Sequence, residues 1–251
     1  ISASYADDKI AWYENDGGGE FGDQIVITED ADGAYSVYAA DLDADGDMDV
    51  LSASQGDFKI AWYKNDGNGN FGEQSVITTD ANGASSVYAA DIDGDGDMDV
   101  LSASYGHDKI AWHENINGDF LTHVITTAAD GAYSVYASDI DGDGDMDVLS
   151  ASYHDGKIAW YENDGSGNFG GQNVITTAAV NAYSVYAADV DGDGDMDVLS
   201  ASINDDKIAW YENKMTCEEG FDCAGVCGGD AEEDECGVCG GDNSSCADEC
   251  G

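Results

Sequence analysis

Along most of the chain, apolar residues come in short runs separated by polar turns. The clearest unit holds four such runs, Ser36-Val37-Tyr38-Ala39-Ala40, Val50-Leu51-Ser52-Ala53-Ser54, Lys59-Ile60-Ala61-Trp62-Tyr63 and Ser75-Val76-Ile77-Thr78. Each is rich in β-branched, aromatic or small residues and is bounded by Gly, Asn or Asp. A two-residue period puts Ile60 and Trp62 on one face of the third run. No segment shows an apolar period of 3.6, so the unit predicts four strands and no helix.

The unit repeats. Lys-Ile-Ala-Trp ends at Trp12, Trp62, Trp112, Trp160 and Trp210, at intervals of 50, 50, 48 and 50 residues. Four short antiparallel strands per repeat of this length define a propeller blade. The expected fold class is all-β, a β-propeller of four-stranded antiparallel blades, followed by a small disulfide-rich tail. The propeller is expected over residues 1–214, as a partial blade at 1–29, repeats at about 30–79, 80–127 and 128–177, and a partial blade at 178–214. The tail takes 215–251. The repeated Trp is expected to fill the space between neighbouring sheets rather than to serve as a ligand platform. In the third copy Asn115-Ile116-Asn117-Gly118-Asp119-Phe120 replaces a longer Gly/Asn turn, which accounts for the one short interval. A turn is where a deletion is tolerated.

Between the first and second runs stands a crowded acidic stretch, D-x-D-x-D-G-D-M-D. Its carboxylates are Asp41, Asp43, Asp45, Asp47 and Asp49 in the first copy and Asp91, Asp93, Asp95, Asp97 and Asp99 in the second. Asp139, Asp141, Asp143, Asp145 and Asp147 follow in the third, and Asp189, Asp191, Asp193, Asp195 and Asp197 in the fourth. Two carboxylates at about 4 Å repel by roughly 1 kcal/mol in water and about 4 at a protein-like dielectric. A hard cation with oxygen ligands relieves this, and Ca²⁺ is the usual one. Positions 1, 3 and 5 can converge on an ion, Gly at position 6 allows the turn, and position 7 offers its carbonyl, leaving its carboxylate to face water. This opening matches an EF-hand loop. The ending does not, because position 12 holds Ser52, Ser102, Ser150 and Ser200 instead of Glu. An Asp falls at position 9 and a strand follows at once, so the expected site is a loop between two strands.

Taken together, these loops and the Lys-Ile-Ala-Trp-Tyr-Glu-Asn-Asp-Gly and Asn-Phe-Gly strings that follow them resemble the FG-GAP/VCBS repeat, over about residues 1–213. Such repeats build the calcium-binding propeller of integrin α-subunit heads and of many secreted bacterial proteins. The resemblance implies about four Ca²⁺ sites, with carboxylates at positions 1, 3, 5 and 9 and the carbonyl of position 7 as ligands. It also implies a secreted or cell-surface location.

Composition narrows the partners. The chain has 251 residues, 54 acids and 7 basic residues, all Lys, with a net charge of −47. Nucleic acid is excluded as a natural partner, since phosphate binding needs clustered Lys and Arg, and an anionic membrane surface is disfavoured. With 42% hydrophobic residues the chain is rich enough to bury a core, and no apolar run is long enough to span a membrane. The chain opens on Ile1, inside a repeat, and ends inside a Cys pattern, so it reads as a fragment of a longer polypeptide.

All the cysteines fall in the tail: Cys217, Cys223, Cys227, Cys236, Cys239, Cys246 and Cys250. An odd, dense set suggests disulfides and an oxidising compartment. Zn²⁺ held by Cys236, Cys239, Cys246 and Cys250 is the alternative. Gly-Val-Cys-Gly-Gly-Asp occurs twice, and the stretch 236–246 is similar to one in extracellular metalloproteases with thrombospondin motifs, but no His-Glu-x-x-His string accompanies it. Asn243-Ser244-Ser245 is a glycosylation acceptor pattern.

No enzyme is expected. His107, His113, His123 and His154 fall at turns or at non-equivalent strand positions, without flanking motifs, and are expected at the surface. No Gly-x-Ser-x-Gly elbow occurs. A calcium-binding module for adhesion, or for binding an extracellular protein or glycan, is the first reading. The alternative is the propeller part of a larger secreted hydrolase or lyase with its catalytic domain elsewhere. The turns at Asp7-Asp8, Gly56-Asp57, Gly106-His107-Asp108, His154-Asp155-Gly156 and Asn204-Asp205-Asp206 vary most between copies. Variable loops on a constant scaffold are where recognition is expected.

Overall fold

A computed structural model describes residues 1–214. The tail at 215–251, with its seven cysteines, lies outside the described residues. The described residues form five antiparallel sheets. The first contains β1 (Ser2–Ser4), β2 (Lys9–Trp12) and β3 (Ile25–Thr28). Three four-stranded sheets follow: β4 (Ala34–Ala40), β5 (Asp49–Ser54), β6 (Lys59–Tyr63) and β7 (Ser75–Thr78); β8 (Ala84–Ala90), β9 (Asp99–Ser104), β10 (Lys109–Ile116) and β11 (Asp119–Thr126); then β12 (Ala132–Ser138), β13 (Asp147–Ser152), β14 (Lys157–Tyr161) and β15 (Asn173–Thr176). The last sheet has β16 (Ala182–Ala188), β17 (Asp197–Ser202) and β18 (Lys207–Tyr211). The single helical element among the described residues is a 3₁₀ turn at Tyr105–His107.

Strand pairing separates the two ends of every sheet. Ala40 lies opposite Asp49 and Ala34 opposite Ser54. The acidic loop therefore caps one end of the β4–β5 pair, and the turn after Ser54 lies at the other. The same register holds for β8–β9, β12–β13 and β16–β17. The shortened third copy did more than lose residues. Its hairpin closes through Asn117 and Gly118, both at positive φ, the backbone that two-residue hairpin turns require. This lets β10 and β11 run to Ile116 and Asp119, directly paired. The longer turns instead keep one isolated bridge each, Asn15 with Phe21, Asn65 with Phe71 and Asn163 with Phe169.

The core lies between sheets. Leu51, Ile60 and Trp62 pack with Ala84, Val87 and Val100 of the next sheet. Each such large side chain, taken wholly out of water, contributes about 1.5–3 kcal/mol. The repeated Trp fills this space in the first four sheets, whereas Trp210 of the last sheet is 46% exposed. Trp12 meets Phe71 edge-on at 6.4 Å, Trp62 meets Phe120 at 6.4 Å, and Trp112 joins a cluster that includes Phe169. The first strand of each four-stranded or three-stranded repeat lies against its neighbour, where Tyr38, Tyr88, Tyr136 and Tyr186 stack in a ladder at 4.6, 4.7 and 4.6 Å. The hydroxyls of Ser36, Ser86 and Ser134 accept the amides of Val87, Val135 and Val185 across that boundary, each at 3.3 Å.

One histidine departs from expectation. His107 and His154 are exposed and His123 is half-buried, but His113 is buried. It takes the core place that Tyr63 and Tyr161 occupy in other copies. Its Nε2 lies 3.0 Å from the Ser102 hydroxyl and its Nδ1 2.9 Å from that of Thr122. Burial, and then the charges of Lys109 and His123, push its pKa from 6.5 down to about 3. Between those values the unfolded chain binds a proton that the folded chain refuses. Stability is therefore lost as pH falls below the unfolded value, at about 1.4 kcal/mol per pH unit for this group. His113→Tyr is expected to remove that component. Thermal melts of the two proteins should agree best near neutral pH and diverge in favour of the variant as the medium is acidified.

Candidate metal centre

The register that caps four of the five sheets with an acidic loop also fixes what the loop's carboxylates can reach. Position 1 folds the loop onto itself. Asp91 Oδ1 accepts the amide of Gly94 at 2.9 Å and Oδ2 that of Gly96 at 3.1 Å. Position 5 then accepts the amide of position 7 at 3.0, 2.9, 3.0 and 3.0 Å in the four copies. These short side-chain-to-backbone bonds are those that Asp forms readily in turns.

Position 9 is different in kind. Asp49, Asp99, Asp147 and Asp197 are all buried and begin a strand. Their Oδ2 atoms accept the amides of Leu42, Ile92, Ile140 and Val190 at 3.1, 3.0, 3.0 and 3.0 Å. Their Oδ1 atoms accept the amides of Asn65, Asn115, Asn163 and Asn213 at 2.8, 2.7, 2.8 and 2.8 Å. The carboxylate thus ties its own loop to the end of the third strand. Burial, with added repulsion from positions 3 and 5, pushes Asp99 and Asp147 up to about 7 and raises Asp49.

The asparagine that meets position 9 carries no motif of its own, but Asn15, Asn65, Asn115, Asn163 and Asn213 recur after every Trp string. Its side chain reaches further. Asn115 Nδ2 donates to the carbonyls of Met98, in its own loop, and Leu42, in the preceding loop, at 3.0 and 2.7 Å. Asn163 and Asn213 repeat the pattern toward Ile92 and Ile140, both at 2.7 Å.

Three of the loops gather positions 1, 3 and 9. Asp91, Asp93 and Asp99, then Asp139, Asp141 and Asp147, then Asp189, Asp191 and Asp197, each offer carboxylate oxygens lying within 4.8 Å of one another. In the first loop the gathered set is Asp41, Asp43 and Asp45. Asp95, Asp143 and Asp193 of the later loops, and Asp49 of the first, stand outside these clusters, as do all the position-7 carboxylates. Nor do those carboxylates simply face water. Asp47 and Asp145 are half-buried and lie over Gly67 and Gly165, where a Cβ would meet them at 2.3 and 2.4 Å, and Asp195 is buried.

The donor set fits a hard divalent cation. It consists of oxygens alone, mostly anionic, on a loop bent around one point. Asp43 Oδ1 is buried without a hydrogen-bond partner, as an oxygen reserved for a ligand would be. The repeated spacing and the strand–loop–strand setting now have their family. A model of the FG-GAP-like repeat matches residues 1–52, 41–102, 91–150 and 139–200. The chain belongs to the FG-GAP-like repeat family.

No curated protein matches this FG-GAP-like chain. Among solved structures, the biofilm matrix protein Bap1 of V. cholerae is similar at 26% identity and a TM-score of 0.49, over 77% of this chain and 28% of its own. Virginiamycin B lyase from Staphylococcus aureus is similar in two structures, at 14% and 13% identity and TM-scores of 0.51 and 0.52. Each alignment covers 84% of this chain and 65% of the lyase. At that identity the likeness is one of fold, and it places the FG-GAP-like repeats here in a propeller-type arrangement. No helix among the described residues is long and apolar enough to cross a membrane.

At the far end of the sheets from the acidic loops, a cavity of about 390 Å³ is lined by Gln55, Tyr105, Tyr133, Tyr153, Tyr183 and Ile203. Four copies contribute to it. Gln55, Tyr105, Tyr153 and Ile203 are equivalent residues, each directly preceding one of the variable turns. The Tyr35 hydroxyl bonds to those of Tyr133 and Tyr183, the second at 2.5 Å. Burial, and then the neighbouring hydroxyls, raise the Tyr133 pKa, which keeps that phenol neutral.

Positions 9 and 5 should separate by mutation. Asp99→Ala is expected to strand two buried amides and cost about 1–3 kcal/mol even in EDTA. Asp95→Ala, at an exposed position, should cost less than about 0.5 kcal/mol under the same conditions. Urea unfolding of both variants in chelator checks the difference.

Proposed function

We propose that this chain is a calcium-binding propeller module, secreted or on a cell surface, which binds an extracellular protein or glycan and performs no catalysis itself. The observation that carries this reading is the fourfold recurrence of one carboxylate loop at one end of the sheets, with position 9 buried in every copy. Asp41, Asp43, Asp45 and Asp49 and their counterparts are the proposed carboxylate ligands, and position 7 supplies its carbonyl. The ion's contribution is charge: it replaces repulsion between aspartates with attraction to a common centre.

Calcium in this role is structural. Extracellular calcium modules have Kd values of about 10⁻⁴ to 10⁻³ M. At about 100 times Kd, one site adds roughly 2.7 kcal/mol to the folded state. Four such sites approach the whole stability of an ordinary domain. The melting temperature is accordingly expected to drop sharply in EDTA and to recover with excess Ca²⁺. An unchanged melt would contradict the structural role.

Ligand binding belongs at the opposite, tyrosine-walled end, where sequence varies while the scaffold does not. Aromatic walls with a few hydroxyls and an amide suit an uncharged surface, such as sugar rings or apolar side chains. The high negative charge of the chain disfavours anionic partners. A glycan and protein array probed with and without Ca²⁺ should reveal a partner. Tyr133→Ala and Tyr153→Ala are expected to weaken its binding by about tenfold or more, with the calcium-dependent melt unchanged.

A further inference from the structure

The four loops look alike in their aspartates, but the residue beside them is not the same. After each Trp string the copies carry Glu14, Lys64, Glu114, Glu162 and Glu212 at equivalent positions. Strand pairing sets Val50 opposite Tyr63 and Val148 opposite Tyr161. Residues 64 and 162 therefore leave the third strand beside the loops at 41–49 and 139–147. The negative charge of Glu162 is felt by Asp141 of the loop beside it, and that of Glu114 by Asp93 of the loop at 91–99. In the first loop the neighbour is an ammonium. Lys64 Nζ bonds to Asp43 Oδ2 and lies 3.1 Å from Asp45 Oδ2. Among the described residues it is the one lysine paired with a loop aspartate. Lys9, Lys59, Lys157 and Lys207 pair at the opposite turns, Lys109 pairs with Asp80, and Lys214 pairs with Glu212.

Two further differences follow the lysine. Asp43 and Asp45 are drawn together, so the first loop gathers positions 1, 3 and 5 while the other three gather 1, 3 and 9. Position 4 is Ala44, held at φ 57°, where the other loops have glycine. In those loops the position-4 amide bonds to position 1 at 2.9, 2.7 and 2.6 Å, whereas Asp41 Oδ1 takes the amide of Asp45 at 3.1 Å. The formal charge differs as well. Five aspartates and a glutamate give −5 − 1 = −6 in the second and third loops, Lys214 paired with Glu212 makes it −5 − 1 + 1 = −5 in the fourth, and five aspartates and a lysine give −5 + 1 = −4 in the first.

We propose that Lys64 is a built-in cation for the first loop, so that the chain has three strong calcium sites and one weak one. The inference rests on the reading of these loops as calcium sites. An ion entering at 41–49 must displace the ammonium from Asp43 and Asp45 and then share the site with it. Since calcium affinity is set largely by ligand charge count, the first loop is weaker by about tenfold or more. The β4–β7 sheet consequently keeps a partly neutralised loop when calcium falls, while the three sheets after it do not.

Calcium titration of the full chain by calorimetry, with native mass spectrometry to count bound ions, tests this. The wild type is expected to take up three ions tightly and a fourth at about tenfold higher concentration or more. Lys64→Glu should bring the fourth into line with the rest, and Glu162→Lys, at an exposed position, should leave only two tight sites. Ala44→Gly should leave the three-plus-one pattern in place. Four equal sites in the wild type, or four equal sites after Ala44→Gly alone, would overturn the proposal while leaving the calcium reading intact. A wild type that takes up no calcium would overturn the calcium reading, and the proposal with it.

Discussion

A buried aspartate at the start of a strand sets the terms for the rest of this molecule. The carboxylates of Asp49, Asp99, Asp147 and Asp197 are withdrawn from water, yet each has acidic neighbours two, four and six residues back along its loop. Burying a charge is unfavourable unless it is paired. Here two backbone amides supply part of the pairing, one from the loop and one from the end of the third strand. That geometry is available only when the loop, the second strand and the third strand are all in register. The same carboxylate therefore depends on correct assembly of the blade, and in the three later loops it also brings an oxygen within 4.8 Å of those of positions 1 and 3.

Much of this was legible in the residues. The period, the four strands and the place of the Trp followed from apolar runs of two-residue alternation, because short sheets with a single buried seam leave that mark directly. The acidic loops were legible because five alternating aspartates around a glycine recur at the spacing of the strands. Other features depended on contacts that no local pattern encodes. His113 looked like a surface residue since nothing in its neighbours' polarity marks a core position; only alignment with Tyr63 and Tyr161 exposes the substitution. Sequence alone turns the position-7 aspartates toward water, but the turn glycines Gly67 and Gly165 come up beneath two of them. Lys64 was hidden by its surroundings, one changed letter in a string otherwise shared by all copies.

The two ends of the sheets divide the work. One end is uniform in sequence, dense in charge and committed to holding the loops. The other is varied, aromatic and uncharged along the cavity wall. Antiparallel pairing keeps the turns and the acidic loops a full strand length apart.

The asparagine side chains give the array a direction. Asn115, Asn163 and Asn213 each hold a carbonyl of the preceding loop as well as one of their own. The loops at 41–49, 91–99 and 139–147 are thus each clamped by the sheet that comes after them. At the acidic-loop end these latches couple successive sheets as a linear chain of units, whereas at the far end the Tyr35 hydroxyl links to Tyr133 and Tyr183, two and three sheets on. Loosening one loop frees the grip of the next sheet's asparagine, and the disturbance is handed on in sequence order. Such an array is expected to come apart like a row of latched panels, each opening only after the latch beside it has been released.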